Sequence, residues 1–161
     1  MDPPGVTTPE PIADDLVLLF AALADHTRTE ITAAVAEAGY RDLRPSDGYL
    51  VQHLLGGAVS VGELAGRMGI TAQGVSKVVI EMERKGYVQR SADPADQRTR
   101  MVSLTERGWE SVGATRRVRA EVNRRIRAML GAGAPAFLDQ VRQLADSTGA
   151  LGALTDRRLR P

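Results

Sequence analysis

Residues 60–108 read SVGELAGRMGITAQGVSKVVIEMERKGYVQRSADPADQRTRMVSLTERG. Ser60 followed three residues later by Glu63 is a capping box, in which the hydroxyl accepts a helix's third backbone N–H and the carboxylate reaches back. Behind it Val61, Leu64, Ala65 and Met68 recur at the three- and four-residue spacing of one helical face, and Gly69 ends the run. Thr71 is placed to cap a second helix, with Val75, Val78, Val79 and Met82 as its apolar stripe. Gly86 supplies its left-handed stop. Two strand-like runs follow, Tyr87 to Asp93 and Arg100 to Leu104, joined by Pro94, Ala95, Asp96, Gln97, Arg98 and Thr99. Pro and Asp make the turn between them. Thr105 then caps a new helix. Two short helices, a hairpin with a basic tip and a restarted helix are the order of a winged helix-turn-helix, a shape whose second helix fits the DNA major groove.

The outer face of that second helix carries Gln73, Ser76, Lys77, Ile80 and Arg84. Amides read base edges, while hydroxyls and cations hold phosphates. Thr71, Gln73, Gly74, Ser76 and Lys77 are therefore the candidate groove residues. Ile80 is the odd member; a neighbouring segment or a thymine methyl group would each accept it. At the hairpin tip the candidates are Asp96, Arg98 and Arg100. Asp96 stands two residues before Arg98, where its carboxylate is placed to hold the guanidinium extended, the form a narrow minor groove attracts. The alternative is a solvent-facing pair worth very little.

The run V-S-K-V-V-I-E-M-E-R-K-G-Y-V-Q-R from Val75, then D-P-A-D-Q-R from Asp93 and S-L-T-E-R-G ending at Gly108, resembles the MarR family of bacterial transcription regulators. Element order extends the resemblance over residues 12 to 155, whereas the residue-level likeness is confined to the winged part. The resemblance implies an obligate homodimer with a DNA-binding lobe on each subunit, usually a repressor released by a small ligand or by oxidation. It also implies an effector crevice between the dimer helices and the winged lobe. On this chain His26, Arg44, Tyr49, His53 and Trp109 are the candidates to line it. A cation, two imidazoles and two rings suit an aromatic or carboxylate-bearing molecule; taken singly, each has a simpler reading as a core or satisfied polar residue.

At 161 residues the chain suits one domain with a real core, and it leaves no room for a separate catalytic domain. No run approaches the roughly 20 apolar residues of a membrane span. The start, Met1 to Pro11, is Pro-rich and acidic, so it reads as a flexible arm and not a signal peptide, and the expected compartment is the cytoplasm. Cysteine is absent, which removes disulfides, thiolate metal sites and thiol-based oxidant sensing. With only two histidines and no ligand spacing, no metal and no cofactor are expected. No nucleophile with a base, paired carboxylates or phosphate-cradling loop occurs at useful spacing, so an enzyme is not expected. The net charge is only +1, but residues 1–58 carry 3 basic and 9 acidic side chains, residues 59–100 carry 7 and 5, and residues 101–161 carry 11 and 6. A local basic footprint is what nucleic acid needs.

The rest reads as helix. Leu16, Leu19, Phe20, Leu23, Thr27, Ile31, Ala34, Val35 and Ala38 predict a long first helix ending at Gly39, and a second begins near Ser46 with Leu50, Leu54 and Leu55. After Thr105 a long helix runs to about Leu130, and past Gly131-Ala132-Gly133 a last one runs from Ala134 to about Leu154. The fold expected is mainly α with a small β-hairpin wing. A flexible arm occupies 1–11, a helical dimerisation region 12–45 and 106–155, the winged lobe 46–105, and a loose tail 156–161. These stripes exceed what one winged lobe covers, so burial against a second copy gives a two-fold homodimer and a roughly palindromic duplex as its partner. The run Arg116, Arg117, Arg119, Arg124, Arg125 and Arg127 is by default a solvated helix face, with direct DNA contact or pairing to the acidic first helix inside the dimer as alternatives. Two rival readings stand beside the effector-released repressor: a winged-helix protein-interaction module, kept open by Ile80 and the modest local charge, and a constitutive DNA-binding regulator without an effector.

Overall fold

The computed structural model describes residues 14–156 apart from 94 and 97. The arm expected over 1–11, Pro94 and Gln97 in the turn, and the tail beyond 156 lie outside the described residues. Among the described residues seven α-helices and three strands follow in the order α1 Leu16–Glu37, α2 Asp47–Leu54, β1 Val59–Ser60, α3 Val61–Met68, α4 Ala72–Arg84, β2 Val88–Ala92, β3 Arg100–Leu104, α5 Glu106–Leu130, α6 Ala134–Ser147 and α7 Ala150–Asp156, with a 3-10 turn at Gly131–Gly133 between α5 and α6.

Four of the helices begin where short polar side chains satisfy the otherwise unpaired first N–H groups. Asp15 accepts from Val17 and Leu18 at α1, Ser60 from Glu63 at α3, Thr71 from Gly74 at α4 and Thr105 from Gly108 at α5. Gly69 ends α3 in the left-handed conformation, at φ 69° and ψ 26°. The helix-turn-helix and its hairpin thus match the sequence reading closely, except that the Glu63 carboxylate turns to Arg67 instead of reaching back, which leaves the Ser60 hydroxyl as the cap.

Two elements differ from it. The two-residue strand β1 pairs antiparallel with β3, Val59 opposite Val102 and Ser60 opposite Met101, so the sheet order is β1-β3-β2. So short a strand has no periodicity of its own; its partner across the sheet creates it. The helix expected from Ala134 to about Leu154 is two, because Gly149 sits at φ 71° and the Thr148 hydroxyl donates to the Leu144 carbonyl at 2.9 Å, closing α6 before α7 starts.

The core lies inside the winged lobe: Leu50 and Leu54 of α2, Leu64 and Met68 of α3, Val75, Val79 and Met82 of α4, Tyr87, Val88 and Val102 from the hairpin, and Val112 of α5. α1 contributes little to it; Val35 is its one buried residue. Leu16, Val17, Phe20 and Leu23 on α1, Met129 and Leu130 on α5, and Phe137, Leu144, Leu151 and Leu154 on α6 and α7 are all exposed. No helix among the described residues is long and apolar enough to cross a membrane.

Candidate nucleic-acid interface

With Val75, Val79 and Met82 locked in the core, the 3.6-residue period turns Gln73, Lys77, Ile80 and Arg84 outward, and all four are exposed. Ser76 is half-buried at the margin of that face, its hydroxyl donating to the Ala72 carbonyl at 2.8 Å. At the start of the helix the Thr71 hydroxyl accepts from the Gly74 N–H at 3.1 Å. A Cβ at Gly74 would lie 3.3 Å from that hydroxyl, so a glycine keeps the cap uncrowded. At the other end Glu83 Oε2 accepts from both Nε of Arg90 on β2, at 2.9 Å, and its Nη2, at 2.6 Å, while Oε1 accepts the Arg90 backbone N–H at 3.3 Å. The bond from Arg90 holds the Glu83 carboxyl below its usual range. The hairpin is therefore pinned to α4 by a charge-assisted pair and a backbone bond to the same carboxylate.

The hairpin tip is organised differently from the expectation. Asp96 does not pair with the Arg98 guanidinium; its Oδ1 accepts the Arg98 backbone N–H at 3.0 Å and its Oδ2 the Thr99 hydroxyl at 3.0 Å. Asp93 does the same for the Ala95 N–H at 2.8 Å. Asp side chains that bond backbone two residues on build a turn, and the carboxylate thus spends its oxygens on the loop. The Arg98 side chain is exposed, carried by a turn that Asp96 fixes, and Arg100 follows at the exposed start of β3.

Two polar clusters tie this lobe together, and neither was visible in the sequence pattern. In the first, the Tyr87 hydroxyl donates to Asp42 at 2.6 Å, Arg107 donates to the same hydroxyl at 3.1 Å, and the guanidinium lies 4.8 Å from the Tyr87 ring centre and 5.7 Å from that of Tyr40. Burial, then the bond to Asp42, pushes the Tyr87 phenol up to about 12, and the Tyr87 hydroxyl in turn holds the Asp42 carboxyl low. In the second, the buried Lys85 ammonium donates to buried Asp47 at 2.9 Å and lies 3.4 Å from Glu81, which also meets Arg44 at 3.2 Å.

Arg44 opens onto a crevice of about 1230 Å³ between α1, α2, α5 and α7, whose walls include Tyr49, Arg28, Ser111, Thr115, Arg116 and Arg119. Of the five candidate effector residues the structure brings Arg44 and Tyr49 together there. His26, His53 and Trp109 are not among its lining residues, and helical phase is the reason. The crevice faces of α1, α2 and α5 run through Thr27 and Ile31, Tyr49 and Gln52, and Val112, Thr115 and Arg119. His26 and His53 sit one position off those faces, whereas Trp109 is set apart by its place along the axis, two residues before Ser111, where the α5 lining begins. Arg28, Arg116 and Arg119 are the cations the reading missed; for the two on α5, spacing from Val112 was the available signal. Elsewhere in the same arginine run, Arg125 pairs with Glu30 of α1 inside one chain, and Arg124 pairs with Glu121.

Comparison with known proteins fits this geometry. The sequence profile of the MarR family matches residues 42–99. The HTH-type transcriptional regulator YdcH of Bacillus subtilis is 39% identical over 66 residues, 41% of this chain and 44% of that one, so the match spans about half the length of the curated relative. Among solved structures, the PcaV transcriptional regulator from Streptomyces coelicolor, in complex with its natural ligand, covers 88% of this chain and 99% of its own at a TM-score of 0.59 and 20% identity. A mutant of MepR from S. aureus bound to an oligodeoxyribonucleotide covers 87% and 98% at a TM-score of 0.58 and 21% identity. At those identities the likeness to the solved structures is one of fold. The profile match falls on the helix-turn-helix and most of its wing, and over residues 42–99 the chain is similar to the MarR family.

Proposed function

We propose that the chain is a homodimeric, sequence-specific regulator of transcription that binds a roughly palindromic duplex and is a cytoplasmic repressor released by a small aromatic or carboxylate-bearing ligand. The observation that carries the DNA-binding part is the outward face of α4, where Gln73, Lys77 and Arg84 stand exposed on a helix whose other side is locked into the core. An amide followed along the helix by two cations combines a base reader with phosphate anchors, and the exposed Arg98 of the wing supplies a guanidinium for the adjacent minor groove. That a MepR mutant was solved on an oligodeoxyribonucleotide supports the same reading.

Support for the dimer comes from the exposed apolar faces of α1, α6, α7 and the end of α5, which a second copy would cover. Support for the ligand comes from the crevice, with Arg44, Arg116 and Arg119 to receive a carboxylate and Tyr49 to receive a ring, and from the bound ligand of PcaV. Arg44 also pairs with Glu81 on α4, so an anion that takes Arg44 acts on the recognition helix as well as on the spacing of the two lobes. About 1.4 kcal/mol of such coupling changes DNA affinity tenfold.

Two substitutions test the DNA reading on a duplex selected from random-sequence DNA. Lys77→Ala should weaken binding uniformly and lower the salt slope by about 1, while Gln73→Ala should relax selectivity at one base pair per half-site. Binding by both variants that matches wild type in affinity and selectivity contradicts the placement of α4 in the groove. For the ligand, benzoate should raise the melting temperature of the wild type saturably and leave Arg119→Ala unshifted; equal behaviour of the two removes the crevice from the account.

A further inference from the structure

The reading face of α4 has an apolar centre. At 100° per residue, Gln73, Lys77, Ile80 and Arg84 fall within a sector of about 60°, with Ile80 between Gln73 and the half-buried Ser76 at its edge. Ile80 is 53% exposed, against 1% or less for Val75, Val79 and Met82 on the opposite side of the same helix. Of the two occupants the sequence left open, a neighbouring segment is therefore not what meets it among the described residues. Nor does Ile80 extend a protein-binding patch, since the other large exposed apolar side chains are concentrated on α1 and on α5 to α7, and the outward neighbours of Ile80 along its helix are Lys77 and Arg84. An isolated branched aliphatic group flanked by cations matches an occupant that is anionic at its edges and apolar at one point. The DNA major groove is such a surface, and the C5-methyl of thymine is its one apolar group.

On the strength of the DNA-binding reading above, we infer that Ile80 is a specificity-determining residue that packs on the methyl group of one thymine in each half-site. Seven residues separate it from Gln73, about 10 Å along the helix axis. At about 3.4 Å per base pair, that places the thymine about three base pairs from the pair Gln73 meets. The contact discriminates in both directions. Thymine offers apolar area to the side chain, whereas cytosine in its place presents an amino group that isoleucine leaves without a partner.

The test is a deoxyuridine scan. A duplex is selected from a random-sequence pool by the wild-type protein, each thymine is replaced in turn by deoxyuridine, which lacks only the methyl group, and binding is measured for wild type, Ile80→Val and Ile80→Ala. The exposed position lets all three fold, and equal melting temperatures establish it. The expected result is one thymine per half-site, about three base pairs from the position relaxed in Gln73→Ala, whose replacement weakens wild type about fourfold. Ile80→Val keeps part of that sensitivity and Ile80→Ala has none of it. Deoxyuridine effects that are absent, or equal in wild type and Ile80→Ala, overturn the assignment of Ile80 while leaving DNA reading in place. Failure of the pool to yield any duplex bound by the wild type overturns the DNA reading and this contact with it.

Discussion

Tyr87 shows how one side chain fixes the position of the wing. Fully buried, it spends its hydroxyl on Asp42, 45 residues earlier, and receives Arg107 from α5. Because the fold favours the neutral phenol, its contribution is intact below the ordinary value of 10.0 and is lost as pH rises toward the folded value of about 12. The melting-temperature advantage of wild type over Tyr87→Phe should therefore shrink between pH 10 and pH 12, whereas a gap that stays constant across that window contradicts the assignment. Gly108 makes a second residue-scale prediction. A Cβ there would lie 2.2 Å from the Tyr87 carbonyl oxygen and 3.2 Å from Leu104, so Gly108→Ala should cost about 3 kcal/mol in urea unfolding by forcing α5 off the hairpin. A loss under about 0.5 kcal/mol would show that the close approach relaxes freely. Capping residues such as Ser60, Thr71 and Thr105 were legible in the sequence because their partners stand three residues away. The Tyr87 cluster was not, since nothing local marks a bond across 45 positions. Asp96 illustrates a third case: the right residue was singled out, but backbone N–H groups in a tight turn outcompeted the guanidinium for its oxygens.

Between elements, one tie is the buried pair of Asp47 on α2 and Lys85 just past α4, which joins a helix lining the crevice to α4. Asp47 also accepts the Arg44 N–H at 2.9 Å, so its carboxylate organises the turn into α2 as well. Removing one member of a buried pair leaves the other charge uncompensated, and Lys85→Ala should lower stability by about 3–5 kcal/mol. The double variant Asp47→Asn with Lys85→Met should recover much of that loss. Urea midpoints decide it: a single variant within about 1 kcal/mol of wild type would show that water reaches the pair. At this scale the sequence specified α1 to α5 closely, because amphipathic period and punctuating glycines are local signals. It missed β1, which exists through its pairing with β3, and the break at Gly149, where an apolar pattern runs on past a left-handed stop. The crevice was half legible. Arg44 and Tyr49 were found from residue type, while Arg116 and Arg119 were passed over within a run of arginines whose individual directions only helical phase separates.

The whole molecule divides into a winged lobe with its own core and long helices whose apolar faces are open, with Val17 77% and Met129 84% exposed. A second copy covering those faces makes stability depend on concentration. The melting temperature should rise with protein concentration, and Leu23→Glu combined with Leu130→Glu should give a monomer in sedimentation; a concentration-independent melt with a monomeric wild type contradicts the dimer. The uneven charge fits the same division, since the acidic first third of the chain is unsuited to phosphate and the basic remainder, from the helix-turn-helix onward, is suited to it. Central to the account is that the chain reads duplex DNA through α4 and the wing, and the most direct measurement is fluorescence anisotropy with DNA from upstream of its own gene. Wild type and Arg98→Ala are compared at two salt concentrations. Wild type should bind tightly, with an affinity that falls steeply with salt, and Arg98→Ala should bind far more weakly or not at all, with the dimer unchanged. Binding that is absent, insensitive to salt or equal in the two proteins would contradict it, and salt-insensitive association would point instead to a winged helix that meets protein.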